Sequence, residues 1–404
     1  MAEIFKGNFT QQEPIPDDGI EAALTVMRSG RLHRYNLDPD DVGEVGLLER
    51  EFAAYTGATY ALAVASGGYA MATALRALGV KPGDRVLTNA FTLAPVPGAI
   101  ASVNAVPIFV GVSDSLTIDL DDLEVKADQA KVLMLSHMRG HLCDIDRLMA
   151  ICDASGIQVI EDCAHTMGAA WRGTPSGRSG IIGCYSTQTY KHMNSGEGGF
   201  LVTDDDEIMA RAIMLSGSYM LYGRHGTVPP AEVFERVKYV TPNVSGRMDH
   251  LRAAILRPQL ANLDAQCAAW NARYQKVEAG LRNTPGLTVV ERPAEETYVG
   301  SSIQFLLLDW SADAVQEVVT RCKARGVELK WFGGAEPTGF TSRYDSWHYA
   351  PSERMPKSDR ILRGILDMRL PLTFSIQDCA LIARIIRAEV GAVYQSAPGS
   401  HAAE

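Results

Sequence analysis

Two rhythms of apolar and polar positions alternate along the chain. Residues 17–29 carry helical periodicity and run into Gly30, and a second helical stretch over 45–55 stops at Gly57. A compact apolar run, 60–65, meets Ser66-Gly67-Gly68, after which helical spacing resumes over 69–78. Short apolar runs follow at 85–89, 106–112, 131–137, 157–162, 183–188 and 199–203, with helices near 95–103 and over 144–155. Seven short apolar strands, most joined through helices, predict an α/β domain. Its largely parallel sheet is covered on both faces, because unbroken apolar runs suit strands buried on two sides.

Beyond residue 249 the rhythm changes. Residues 249–283 predict one long helix or two, with apolar positions at Leu251, Ala254, Ile255, Leu260, Leu263 and Ala268, connecting the large domain to a smaller one. Strands at 287–291, 301–309 and 328–332, a helix at 311–325 and an amphipathic helix over 376–394 make that second domain α+β. The expected division is 1–250 for the N-terminal segment and large domain and 251–395 for the connecting helix and small domain. Residues 396–404 form a polar tail expected to be disordered.

Composition removes several classes of function. The formal net charge is -10, from 38 basic and 48 acidic residues, and no long Lys/Arg run occurs, which argues against nucleic acid and anionic membrane as partners. No stretch of 18 apolar residues and no signal-peptide pattern is present, so a cytoplasmic location is expected. The seven cysteines are odd in number and lack metal-knuckle spacing; they are expected to be reduced thiols, with no metal site.

The chemistry-bearing residues gather at predicted strand ends, where open α/β sheets bind their ligands. Strand, glycine turn and helix start at Ser66, Gly67 and Gly68 make an anion site from free backbone N–H groups and the helix dipole. Phe91 and Leu93 offer apolar surface. Asp162 and His165 follow a very apolar strand, and Ser186 and Gln188 alternate on the next. Lys191 then stands before the glycines 196, 198 and 199. A lysine beside hydroxyls and close-approaching backbone suits an amine that forms a Schiff base with a carbonyl cofactor. Each residue also has a plainer reading: a solvated loop lysine, a capping or ion-paired aspartate, a core histidine. A nicotinamide dehydrogenase would share the α/β pattern, but its Gly-x-Gly-x-x-Gly turn is missing.

Taken together, the segments 65–84, 160–169 and 184–199, the last ending Lys-x-x-x-x-Gly-Glu-Gly-Gly, resemble the DegT/DnrJ/EryC1/StrS aminotransferase family. The likeness runs from about residue 15 to 390 and is strongest between 60 and 205. It implies the aspartate aminotransferase fold (fold type I), pyridoxal 5'-phosphate as cofactor, and transfer of an amino group from glutamate or glutamine to a keto-sugar or keto-cyclitol. By that resemblance Lys191 holds the cofactor aldehyde and moves the substrate proton, and Asp162 faces the pyridine nitrogen. His165 stands where the family has Gln or His against the ring's phenolic oxygen, and Ser186 joins Ser66, Gly67 and Gly68 on the phosphate. The family's sites lie at a homodimer interface, and Asn243 or Arg247 are the candidates for the group supplied by the partner. The chain departs from the family at Gly68, where a threonine is usual, and at Leu93, where an aromatic often stacks on the ring; Phe91 is the other candidate for that contact. Arg31, His33, Arg34, Arg224 and His225 are the candidates for a substrate clamp. A subgroup with histidine in place of the lysine dehydrates sugars, which makes His192 worth following, though the glycine spacing aligns Lys191. A non-catalytic cofactor-binding regulator is the other alternative.

Overall fold

The computed structural model describes residues 3–38 and 41–396, so 397–404 of the expected tail lie outside the described residues. The predicted seven-stranded sheet is present. Across it the strands run Tyr60–Val64, Gly199–Thr203, Ile182–Ser186, Gln158–Asp162, Val132–Ser136, Arg85–Asn89 and Val106–Val110. Gly199–Thr203 is antiparallel to both neighbours and every other pairing is parallel. Alternate side chains feed two separate cores. Ala61, Ala63, Leu133 and Phe200 pack on one face, and Leu62, Val64, Met134 and Leu201 on the other. This two-sided burial is why the strands are apolar throughout.

The helix Gly67–Leu78 starts where it does because Ser66 is extended and its Oγ accepts from the Tyr69 amide at 3.1 Å. It stops at Gly79, whose φ of 92 closes the last turn. Gly67 is required by proximity: a Cβ there would lie 2.8 Å from the Ser186 Cβ. The turn is thereby pressed against the strand that leads to Lys191.

The stretch predicted as one helix or two is two, His250–Ala261 and Leu263–Leu281, broken at Asn262. Leu256, Leu263 and Trp270 pack in the core of the large sheet, while Tyr274, Val277 and Leu281 pack in the core of the C-terminal sheet, so the pair touches both. The small domain holds a four-stranded antiparallel sheet ordered Thr288–Val289, Ser302–Leu306, Ile365–Arg369, Lys330–Trp331. Ile365–Arg369 is absent from the strands expected above. Asp367 and Arg369 interrupt its apolar run, and the helix Pro356–Gly364 enters it without a turn signal. Phe5 and Phe9 also pack in the small-domain core, 4.9 and 5.0 Å from the Phe374 ring, so the first residues join the second domain and not the first.

Candidate active site

A cavity of about 430 Å³ opens at the carboxyl ends of the central strands, a size suited to a small-molecule ligand. Its lining includes Ser66, Gly67, Gly68, Leu93, Asp162, His165, Ser186, Gln188 and Lys191. Nine of the residues singled out in the sequence therefore share one space.

Lys191 is carried by a turn that the preceding residues shape. Its amide donates to the Gln188 carbonyl at 2.8 Å, and Gln188 Oε1 accepts from the Tyr190 amide at 2.9 Å. The Lys191 Nζ lies 2.9 Å from His165 Nε2. Burial, with Arg139, Arg369 and Lys330 nearby, pulls the Lys191 amine down to about 7 although Asp162 opposes the shift. Burial, with Lys191, Arg139, His192 and Lys330 nearby, keeps His165 well below the usual histidine range, so its ring is neutral and can accept from the lysine.

Asp162 is held by its surroundings. Its Oδ2 accepts from Ser136 Oγ at 3.0 Å and its Oδ1 from the Ala164 amide at 3.1 Å. Ser136 accepts in turn from Thr92 Oγ1 at 2.8 Å, and its backbone is clamped by Asn89 from the adjoining strand. A carboxylate fixed in this way, at a strand end, is a stationary negative charge facing the cavity. It is not a helix cap.

The other end of the cavity is the anion cradle. The start of helix Gly67–Leu78 and Ser186 converge there, and a Cβ at Gly68 would make only ordinary contacts, with Pro95 Cβ at 3.9 Å and Ser66 Oγ at 4.0 Å. Pyridoxal 5'-phosphate fits this donor set: a phosphate cradle, an amine of depressed basicity and a fixed carboxylate line one cavity.

Several expected members are elsewhere. Phe91 does not line the cavity. It is buried, edge-on to Phe332 at 5.1 Å, in the apolar seam joining the two domains, so the wall contact belongs to Leu93. Arg34 and His225 are not available to a substrate: Arg34 is 2 % exposed and grips Glu49 through two 2.9 Å bonds, and His225 Nε2 bonds Tyr35 Oη at 2.8 Å. Arg31 pairs with Asp38, and Arg224 donates to the Tyr35 carbonyl beside His33, all outside this chain's cavity. Asn243 is exposed and Arg247 binds the Gly217 carbonyl at 2.8 Å; neither lines the cavity. His192 is buried and bonds Ser301 Oγ at 3.0 Å, so it does not compete with Lys191.

The cavity wall also holds residues the sequence reading missed. Arg139, Lys330 and Arg369 line it, together with Tyr190, whose ring lies 4.1 Å from the Arg369 guanidinium carbon. They come from a turn and two small-domain strands, and nothing in their local sequence brings them together. In the turn Met138–Gly140, Arg139 adopts φ 57, a conformation unusual for a side chain of its size.

A mostly parallel sheet whose strand ends set a lysine and a fixed carboxylate around an anion cradle defines an α/β enzyme of the aspartate aminotransferase kind. Residues 18–387 match the DegT/DnrJ/EryC1/StrS aminotransferase family, and the chain belongs to it. It is 33% identical over 286 residues to a putative L-glutamine:3-amino-2,3-dideoxy-scyllo-inosose aminotransferase of Streptomyces kanamyceticus, covering 69% of this chain and 66% of that protein. A relative of the same name from Streptoalloteichus tenebrarius is 29% identical over 92% of this chain and 89% of its own length. Among solved structures, a 3-amino-5-hydroxybenzoic acid synthase superposes with a TM-score of 0.81 at 27% identity, over 97% of this chain and 100% of that one.

Proposed function

We propose that the protein is a pyridoxal-phosphate-dependent aminotransferase. It moves an amino group from glutamate or glutamine to a ring ketone of a sugar or cyclitol, in the formation of an amino sugar, aminocyclitol or antibiotic. The observation that carries this is Lys191: an amine lowered to about 7, 2.9 Å from His165, in the same cavity as a clamped Asp162. The relatives' names support the same class, as they describe glutamine-dependent inosose aminotransferases and a dTDP-linked trideoxy-amino-sugar transaminase of Streptomyces venezuelae.

The bound cofactor supplies an electron sink conjugated to the amine being exchanged. The chain does the rest. Lys191 Nζ is half unprotonated near neutral pH, so it can capture a carbonyl and later accept and return a proton at that atom. Asp162 presents a fixed negative charge that keeps a facing ring nitrogen protonated. Neutral His165 orients the lysine, and Leu93 would offer a bound ring an aliphatic contact. Ser66, Ser186 and the amides of Gly67 and Gly68 would hold the phosphate. The enzyme acts as a cytoplasmic homodimer; its seven cysteines are all unpaired and buried, as a reducing compartment would leave them. Among the described residues no helix is long and apolar enough to cross a membrane.

A regulatory reading has one support, a pleiotropic regulatory protein of Geobacillus stearothermophilus that is 33% identical over 261 residues. The intact lysine and its depressed basicity favour catalysis. Purified protein should be yellow, and borohydride should fix the cofactor on the peptide bearing Lys191. Addition of L-glutamine or L-glutamate should convert the spectrum to the amine form. If neither donor, nor any other amino acid, changes the spectrum of protein labelled at Lys191, the regulatory reading replaces this one.

A further inference from the structure

The cationic wall is more than one amino donor needs. Arg139 is 6 % exposed and leaves Nε and Nη2 without a hydrogen bond, although Nη2 stands 2.9 Å from Asp367 Oδ2. Lys330 has no hydrogen bond or ion pair among the described residues; its Nζ sits 5.3 Å from the Phe340 ring centre. Arg369 lies on Tyr190 and donates only to the Phe9 carbonyl and, at 3.4 Å, to Gln12 Oε1. Asp367 is the acid in contact with Arg139, and Gln304 Nε2 already engages its Oδ1 at 2.7 Å; Glu13 and Glu328 act on Arg369 and Lys330 without a hydrogen bond to either. Buried Arg139 nitrogens and a Lys330 amine without hydrogen bonds line the cavity beside Arg369, a costly arrangement unless an anion completes it. The cofactor phosphate does not serve, because its cradle is built from other residues.

The two halves of a transamination use one cavity in turn. A donor's α-carboxylate neutralises part of the wall in the first half, but an uncharged acceptor would leave all of it unmet in the second. We infer that Arg139, Lys330 and Arg369 form a carboxylate site used in both halves, and that the natural acceptor is a ring ketone bearing a carboxylate. This rests on the aminotransferase reading above and narrows its substrate class. Arg369 supplies a planar fork for the two oxygens, Lys330 a mobile point charge, and Arg139 the buried donors still without partners.

The test separates the halves. Enzyme in the amine form is mixed with 3-oxocyclohexane-1-carboxylate or with its neutral carboxamide, and the return of the aldehyde-form absorbance is followed. The carboxylate should win by about tenfold or more in kcat/KM, the scale of one charge-assisted contact. Arg369→Gln and Lys330→Gln should each shrink that preference, mainly through KM, while Arg369→Lys keeps part of it. Calorimetry with unreactive cyclohexanecarboxylate should show binding to the wild-type holoenzyme that the double variant loses; an unchanged cofactor spectrum certifies its fold. Equal rates for carboxylate and carboxamide, or a preference that survives in the double variant, overturns the inference. So does a result in which the variants slow only the L-glutamine half-reaction, since the wall then serves the donor alone. If no donor converts the cofactor at all, the aminotransferase reading falls instead, and calorimetry still reports whether the wall binds carboxylate.

Discussion

Lys191 has a pH dependence with a definite sign. Its amine is lowered to about 7 by burial and neighbouring cations, so above that value it is mostly the free nucleophile. Attachment of added pyridoxal 5'-phosphate to the apo-protein, followed by absorbance, should speed up as pH rises through about 7 and then level off. Stability follows the same shift. Between about 7 and the ordinary lysine value the unfolded chain binds a proton that the folded chain does not, so the apo-protein gains stability with rising pH across that window. Lys191→Met should remove this slope in thermal melts. Lys191→Ala should lower turnover by at least about 10²–10⁴-fold, the range for loss of a positioned proton carrier. One step out, Ser136→Ala deletes the hydroxyl that Asp162 Oδ2 accepts. A hydrogen bond to a charged group contributes about 1.5–3 kcal/mol, so kcat should fall about ten- to a hundredfold with the cofactor still bound. Unchanged kcat in that variant would mean that Asp162 is positioned without Ser136.

At the scale of elements, the residues first expected to clamp a substrate turn out to hold the N-terminal region together. Glu49, on the helix Gly43–Thr56, accepts from Arg34 of the preceding loop and from the amides of Ala63 and Gly226. Burial would raise its carboxyl, but Arg34 and His225 hold it well below the usual range. Glu49→Ala strands the Arg34 charge and should cost about 3–5 kcal/mol, seen as a lower Tm. In the wild type this contribution is full above the ordinary glutamate value and is lost as pH falls toward the depressed one, so the Glu49→Ala penalty should shrink in acid. The sequence could not separate these roles, since an arginine beside a tyrosine looks the same whether it meets a ligand or a buried acid. Strands and helices with strict periodicity were legible nearly to the residue, as in Asp17–Ser29 and Arg85–Asn89. The strand Ile365–Arg369 was not, because its polar members point to partners from distant segments: Asp367 to Gln304, Arg369 to Tyr190. The Lys191 half of the cavity was readable because it lies on consecutive strand ends, and the cationic wall was hidden because three remote segments compose it.

At the scale of the whole molecule, the turn bearing Asn243 and Arg247 is fixed to the edge of the large sheet. The Ala65 amide donates to the Gly246 carbonyl at 2.8 Å, and Val64 pairs with Arg247, so the turn borders the strand that delivers Ser66. Beside it stand exposed Tyr219, Met220, Tyr239, Val240 and Val244, more apolar surface than one short region usually leaves to water. Arg247 lies over the Tyr219 ring at 5.1 Å, within the same patch. A twofold homodimer through this face would cover the patch and carry Asn243 toward a second copy's cavity, which no residue of its own turn reaches. Sedimentation should give a dimer, and Val240→Asp should shift it toward monomer. Sharing of the site is testable by complementation. Lys191→Ala and Asn243→Ala proteins, each weakly active alone, are mixed, dissociated and reassociated. If Asn243 serves the partner's site, half of the dimers are mixed and each carries one intact site, so activity should recover to about a quarter of wild type. If Asn243 serves its own chain, both sites of every mixed dimer carry one lesion and no recovery follows. The same mixing with Arg247→Ala decides which of the two residues crosses the interface.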